Sequence, residues 1–147
     1  MDLSKAFDVI QHDLLLAKLK AYGVGQGSCA LLKDYLSGRQ QRVKIGDTFS
    51  NWAGTFSNCA GTRREVPQGS VLGPMFFNIF INDLFQHVKY AKLNAYADDH
   101  QIDSSNLDPL ALEECIWLEV DVANQWYKNN GMIVNEKKHQ ALILGKN

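Results

Sequence analysis

Two adjacent carboxylates, Asp98 and Asp99, close a short apolar-aromatic run from Tyr90 to Tyr96, and no other stretch of this 147-residue chain constrains its fold as much. The run reads as a β-strand, and a loop or further strand begins at His100. Like charges side by side repel, so two neighbouring aspartates near a core call for a counter-charge. A divalent metal is the strongest one available, and Mg²⁺ is typically held by one or two carboxylates together with substrate phosphates. A polar tight turn between two strands is the competing reading, because Asp favours turns. Taken alone, Tyr96-Ala97-Asp98-Asp99 favours the turn, since motifs this short match by chance. What shifts the balance lies elsewhere in the chain.

The length fits one ordinary domain or part of a larger one. An apolar fraction of 46% with 21% charged residues gives room for a core and excludes a disordered chain. A net charge of −1 excludes binding to nucleic acid through bulk charge. Basic residues do cluster locally, at Arg39, Arg42 and Lys44, at Arg63 and Arg64, and at Lys137 and Lys138. The first of these clusters suits template phosphate, but a solvated strand face is its default reading. Cys29, Cys59 and Cys115 show neither metal-ligand spacing nor a disulfide framework. They point to a reducing, intracellular compartment, whether nucleus or cytoplasm. Met1 to Lys5 is not a signal peptide. The most apolar run, Val71 to Phe85, is interrupted by Gly73, Pro74, Asn78, Asn82 and Asp83. It is also shorter than the roughly 20 residues of a membrane span, so it reads as a buried helix and no membrane is expected.

Along the chain, a first helix begins near His12-Asp13, with Leu15, Leu19 and Tyr22 on one face and Gly23 as its stop. A second is expected from Ser28 to Leu36. Arg39 to Ile45 reads as a strand entering a turn at Gly46-Asp47. The heptamer Phe49 to Thr55 is followed at once by Phe56 to Thr62, with six of seven positions identical. One copy is too short for a repeat-protein unit, and a tandem duplication explains it better. An odd-length insertion flips every later side chain of a strand unless it loops out. Residues 49–62 are therefore expected to bulge in part, with Trp52 packed and Cys59 more exposed. The apolar helix opens at Pro67-Gln68-Gly69-Ser70 and is expected to run to about His87, with Asn82-Asp83 satisfying backbone near a bend. Lys92 to Asp103 carries the two aspartates between short strands, and Tyr96 is expected to pack at a strand end. Asp108-Pro109 starts a long helix that stops at Asn130-Gly131. Met132 to Val134 and Gln140 to Leu144 read as a closing hairpin. Strands mixed with helices in no strict alternation indicate an α+β sheet with helices packed on one face.

Two-metal phosphoryl transfer needs carboxylates converging on ions about 3.5–4 Å apart. Asp98 and Asp99 point to opposite faces if both are extended, so a tight turn must present at least one, and a third carboxylate must come from elsewhere. Asp2 and Asp8 are the candidates preceded by a short apolar segment. The default for Asp2 is a terminal solvated charge, and Asp8 fits better as a residue that caps or flanks the helix than as a metal ligand. His12, His87, His100 and His139 show no ligand spacing, and none is expected to bind metal.

Five segments stand in a telling order: Asp2-Leu3-Ser4-Lys5-Ala6-Phe7-Asp8, Val66 to Pro74, Ile81 to Leu84, Tyr96-Ala97-Asp98-Asp99, and Gly131 to Asn135 with Lys138. Over nearly the whole chain this resembles the palm motifs of reverse transcriptases, most closely those of non-LTR (LINE-type) retrotransposons. The resemblance implies an RNA-directed DNA polymerase palm, with two Mg²⁺ ions (or Mn²⁺) held by Asp2, Asp98 and Asp99. It makes those three residues and Lys138 catalytic, Lys138 lying near the triphosphate as the acid for pyrophosphate. Phe7 becomes the steric gate against a 2′-hydroxyl, and Gln68 and Gly69 the loop that contacts the incoming nucleotide and template. The implied partners are RNA template, DNA primer and dNTPs; oligomeric state stays open. Residues 1–147 form a single palm fragment on this comparison, truncated before Asp2 and lacking fingers and thumb, so the chain alone is expected to be weak or inactive. Two departures stand out. Glu65 replaces the family's usual Gly and adds negative charge beside a triphosphate pocket, and His139 stands where Thr is common. The alternative is a catalytically inactive relic or interaction module that keeps the palm fold.

Overall fold

The computed structural model describes residues 1–38, 40–51, 53–54, 66, 69–135 and 138–144. In chain order its first elements are β1 (Leu3–Ser4), α1 (His12–Ala21), α2 (Gln26–Leu36), β2 (Gln40–Gln41), β3 (Lys44–Ile45), β4 (Thr48–Phe49) and β5 (Ala53–Gly54). There follow α3 (Leu72–Ile81), α4 (Leu84–His87), β6 (Lys92–Tyr96), β7 (Asp99–Asp103), α5 (Pro109–Asn129) and β8 (Ile133–Val134). They divide into two compact units, Met1–Ala6 with Asn82–Asn147, and Phe7–Ile81.

The Phe7–Ile81 unit is mainly helical. Leu15, Leu16 and Leu19 recur at helical spacing and are buried, and α1 packs on α2 and α3. Gly23, at φ +88°, takes the left-handed conformation just beyond the helix end. The α2 helix begins at Gln26 rather than Ser28, because Gly25 is extended and serves as its N-cap. The strand expected over Arg39–Ile45 is two pieces among the described residues, since each takes a different partner: β2 pairs with β5, and β3 with β4 around Gly46. In α3 burial is confined to a stripe through Phe76, Phe77, Phe80 and Ile81, with Gly73 in the first turn. Phe7 stacks on Phe77 at 4.9 Å between ring centroids. Val71, Met75 and Phe85, expected to be buried with the rest of this run, are exposed. The helix also breaks where only a bend was expected: α3 stops at Ile81, Asn82 and Asp83 form a turn, and α4 restarts at Leu84. The break coincides with the boundary between the units. Of the duplicated heptamers, Trp52 and residues 55–62, Cys59 among them, lie outside the described residues.

The other unit is an antiparallel sheet under a long helix. β6 and β7 form a hairpin from Lys92↔Asp103 to Tyr96↔Asp99. β1 pairs with β8 through Leu3↔Val134 and Ser4↔Ile133, and a bridge Asp2↔Asp99 joins the two pairs into the order β6-β7-β1-β8. The closing hairpin expected between Met132–Val134 and Gln140–Leu144 is absent among the described residues. β8 spends its hydrogen bonds on β1, and Leu142, Ile143 and Leu144 are exposed. Tyr96 is likewise a correction: it is 86% exposed rather than packed, because Leu93 lies on the covered face and strand alternation puts Tyr96 on the other. α5 starts as read from sequence, with Asp108 Oδ1 accepting from Leu110 N at 3.1 Å and Pro109 in the first turn. It ends at Asn130 with Gly131 left-handed, and packs on β7, β8 and α4. This is an α+β arrangement of helices and short antiparallel strands. No helix among the described residues is long and apolar enough to cross a membrane.

Candidate active site

The hydrogen bonds around Asp2 fix its relation to Asp99. Leu3 N donates to Asp98 O (3.2 Å) and His100 N donates to Met1 O (2.9 Å). These bonds flank Asp2 and Asp99, which therefore form a non-hydrogen-bonded antiparallel pair, the register in which facing residues come closest and their side chains share a face. Two carboxylates in that position repel. Lys138 Nζ meets Asp2 Oδ2 at 3.1 Å and Asn135 Nδ2 lies 3.5 Å from the same oxygen. Both groups are brought there by backbone: Asn135 N donates to Asp2 O at 2.9 Å, and Lys138 N donates to Asn135 O at 3.0 Å. Lys138 is thus a cation that offsets one charge of the pair, with its side chain 63% exposed.

Asp98 sits in the two-residue connection between β6 and β7. Ala97 has φ +51° and Asp98 does not share that sign, the pattern of a type II′ turn, whose first position normally holds Gly. This turn resolves the problem of two adjacent aspartates: Asp99 begins the strand facing Asp2, and Asp98 remains in the loop. Among the described residues, no group of three or more His, Cys, Asp or Glu side chains is arranged to hold a metal ion. What the site offers is a facing pair of hard oxygen donors with a third carboxylate adjacent in sequence, a donor set that suits Mg²⁺ or Mn²⁺.

On the covered face, His100 is 1% exposed. One ring nitrogen, Nε2, lies 3.1 Å from Ala97 O, and the other, Nδ1, is hydrogen-bonded to the Tyr127 hydroxyl on α5. A carbonyl only accepts, so Nε2 carries the proton and Nδ1 accepts from Tyr127. Burial first of all lowers the imidazole's pKa, which the bond to Ala97 O partly opposes; burial pushes the Tyr127 hydroxyl upward. The sequence alone gives His100 no ligand spacing and does not single out Tyr127. The available signal is strand alternation, which places His100 on the face opposite to Asp99 and against the helix.

Of the other residues singled out from sequence, Phe7 and Gly69 belong to the Phe7–Ile81 unit. Phe7 is half-buried against Phe77. Gly69 has φ +77°, and the place a Cβ would take there is open space. Its left-handed backbone, not crowding, accounts for the glycine. Gln68 and Glu65 lie outside the described residues. Arg42 and Lys44 lie over the Phe49 ring, 3.8 and 5.4 Å from its centroid, on the solvated β3–β4 hairpin.

The family model for reverse transcriptase (RNA-dependent DNA polymerase) matches residues 1–145. The chain is 28% identical over 145 residues to the RNA-directed DNA polymerase from mobile element jockey of Drosophila melanogaster, covering 94% of this chain and 15% of that protein. It is 34% identical over 112 residues to the probable RNA-directed DNA polymerase from transposon BS of the same species, covering 67% of this chain and 11% of the relative. A Pol polyprotein from the type-1 retrotransposable element R2 of Popillia japonica is 23% identical over 148 residues, 94% of this chain and 23% of the polyprotein. The chain thus spans less than a quarter of the length of each of these relatives.

Proposed function

This chain belongs to the reverse transcriptase (RNA-dependent DNA polymerase) family, and on that premise we propose that it is the palm core of a retrotransposon RNA-directed DNA polymerase, adding dNTPs to a DNA primer 3′-hydroxyl along an RNA template. The observation that carries this reading is the facing pair Asp2↔Asp99, with Asp98 in the adjoining turn. Asp2, Asp98 and Asp99 would hold two Mg²⁺ or Mn²⁺ ions, which when bound supply charge neutralisation for in-line displacement at the α-phosphate.

The chain's own groups supply the rest. Lys138 balances the charge of Asp2. Its ammonium, a compact and mobile donor on an exposed side chain, suits a triphosphate and the proton that pyrophosphate needs on leaving. Phe7 takes the steric-gate role and Gln68-Gly69 the nucleotide-loop role that the family resemblance assigns to them. Gly69, left-handed and without a side chain, lets backbone approach a ligand closely.

Two measurements test the proposal. In calorimetric titration with Mn²⁺ and a dNTP, binding is expected in the native chain and lost in Asp2→Ala and in Asp98→Ala. In primer extension with RNA template, DNA primer, Mg²⁺ and all four dNTPs, any extension is expected to be weak and to vanish in the same variants. Metal-dependent binding or extension that survives both substitutions refutes the assignment.

A further inference from the structure

The turn that presents Asp98 and Asp99 is strained at one residue. Ala97 holds φ +51° where a Cβ is disfavoured and Gly is the usual occupant. A non-Gly residue persists there only when its surroundings over-determine it. The carbonyl of Ala97 is one end of the peptide that continues into Asp98, so whatever grips that carbonyl sets the orientation of the Ala97–Asp98 peptide plane. His100 Nε2 grips it at 3.1 Å. His100 in turn is buried and its ring is fixed from behind by Tyr127, whose hydroxyl bonds Nδ1 and whose ring lies 5.7 Å away between centroids. Tyr127 is itself fully buried on α5, in edge contact with Trp126.

We propose that Tyr127 and His100 are positioning residues for the carboxylate site, a relay from α5 that clamps Ala97 in its left-handed conformation and so sets how Asp98 and Asp99 are presented. The inference rests on the reading of those carboxylates as metal ligands. Its logic is one of tautomer selection. The imidazole can hold a carbonyl only through a protonated nitrogen, and the Tyr127 donor on Nδ1 leaves Nε2 as that nitrogen. Without the hydroxyl, both tautomers become accessible, and one of them points a lone pair at Ala97 O. The turn then loses the bond that offsets its backbone strain.

The relay makes a prediction that a purely structural contact does not. If the clamp serves to hold Ala97 left-handed, Gly at position 97, which adopts that conformation without a Cβ penalty, makes the clamp dispensable. The test compares the 147-residue chain with Tyr127→Phe, Ala97→Gly, the Tyr127→Phe/Ala97→Gly double variant, and Asp98→Asn, titrated with Mn²⁺ alone. Long-range ¹H–¹⁵N spectra of the His100 ring report its tautomer in parallel. Tyr127→Phe is expected to weaken Mn²⁺ binding about fivefold, in keeping with the loss of one buried hydrogen bond, and to mix the tautomers. The double variant is expected to recover Mn²⁺ affinity to within about twofold of Ala97→Gly, while its tautomers remain mixed. Native-like Mn²⁺ affinity in folded Tyr127→Phe overturns the proposal, as does a loss that Ala97→Gly does not repair. An Nδ1–H tautomer in the native chain overturns it without any variant. Asp98→Asn separates the two levels: if it binds Mn²⁺ as the native chain does, the metal-ligand reading fails; if it loses Mn²⁺ while Tyr127→Phe does not, the relay alone fails.

Discussion

Replacing Glu119 tests how α5 holds the approach to the carboxylate hairpin. Glu119 is 1% exposed, and its carboxylate accepts from Tyr90 N at 2.8 Å and from Lys89 N at 3.2 Å to each oxygen. One helical turn earlier, the Cys115 thiol donates to Tyr90 O at 3.5 Å, so two residues on one face of α5 bracket the backbone that leads into β6. A buried carboxylate is tolerated where donors converge on it. In Glu119→Ala both amides lose their partner. Each orphaned donor costs about 1–3 kcal/mol, and the low end applies because Lys89 and Tyr90 are exposed enough for water to reach their backbone. Loss of the buried methylene adds about 0.8 kcal/mol. The expected sum is about 3 kcal/mol. Glu119→Gln keeps the packing and one acceptor oxygen but turns an amide NH₂ toward a donor, for an expected loss of about 1–2 kcal/mol. Urea denaturation followed by circular dichroism measures both, and hydrogen exchange reads the Tyr90 amide directly. A loss below about 0.5 kcal/mol in Glu119→Ala refutes the reasoning, and so does an unchanged Tyr90 exchange rate.

Other outcomes follow from the same geometry. Phe77→Ala empties a fully buried site stacked on Phe7 and is expected to cost about 3–5 kcal/mol in chemical denaturation. Asp108→Ala removes the cap of α5 and is expected to cost about 1 kcal/mol by the same measurement. His100 has a folded-state pKa below its ordinary 6.5, so the native state binds its proton less readily than the unfolded chain does. Its contribution is fully present above pH 6.5 and is lost as pH falls from there through the folded value, so stability should decline on that acid limb and decline less in His100→Leu, as denaturation at stepped pH would report. Lys138→Met takes away the cation paired with Asp2, and Mn²⁺ affinity measured by calorimetry is expected to rise about two- to threefold, the modest value of an exposed ion pair.

Much of this molecule is readable without coordinates where the signals are local. The Asp108-Pro109 cap, the Gly23 and Gly131 stops and the strand–turn–strand around Asp98 each depend on a few neighbouring residues, and each stands as read. The misreadings share a different cause. The apolar run nearest to Ile133–Val134 is Gln140–Leu144, yet Ile133 and Val134 pair with Leu3 and Ser4 from the far end of the sequence. The aromatic ring of Tyr96 suggests a core position, whereas alternation from Leu93 puts it in solvent. The apolar run through Phe85 gives no sign that it crosses between two units at Asn82. At the site, it is the resemblance to reverse transcriptase motifs, carried by the order of five segments, that sets Asp2 beside Asp98 and Asp99 as an expectation. The contact between Lys138 and Asp2, the His100–Tyr127 bond and the burial of Glu119 are set by tertiary packing, which periodicity does not encode.

The central strand β1 has a consequence for how this sequence tolerates change. Just before it, hydrogen bonds join Met1 to His100, 99 residues on, and Asp2 to Asn135, 133 residues on, so the carboxylate pair exists only after a very long stretch of polypeptide has closed on itself. Closure entropy grows only with the logarithm of the intervening length. Seven extra residues in a span of that size raise it by about 0.1 kcal/mol or less. The duplicated heptamer at Phe49–Thr62 falls within the span from Asp2 to Asp99, where added length is cheapest for assembly. Long separation makes such a centre slow to form, since distant pairings must be brought together before they gain anything. The same separation shelters it from insertions that would shift the register of a hairpin.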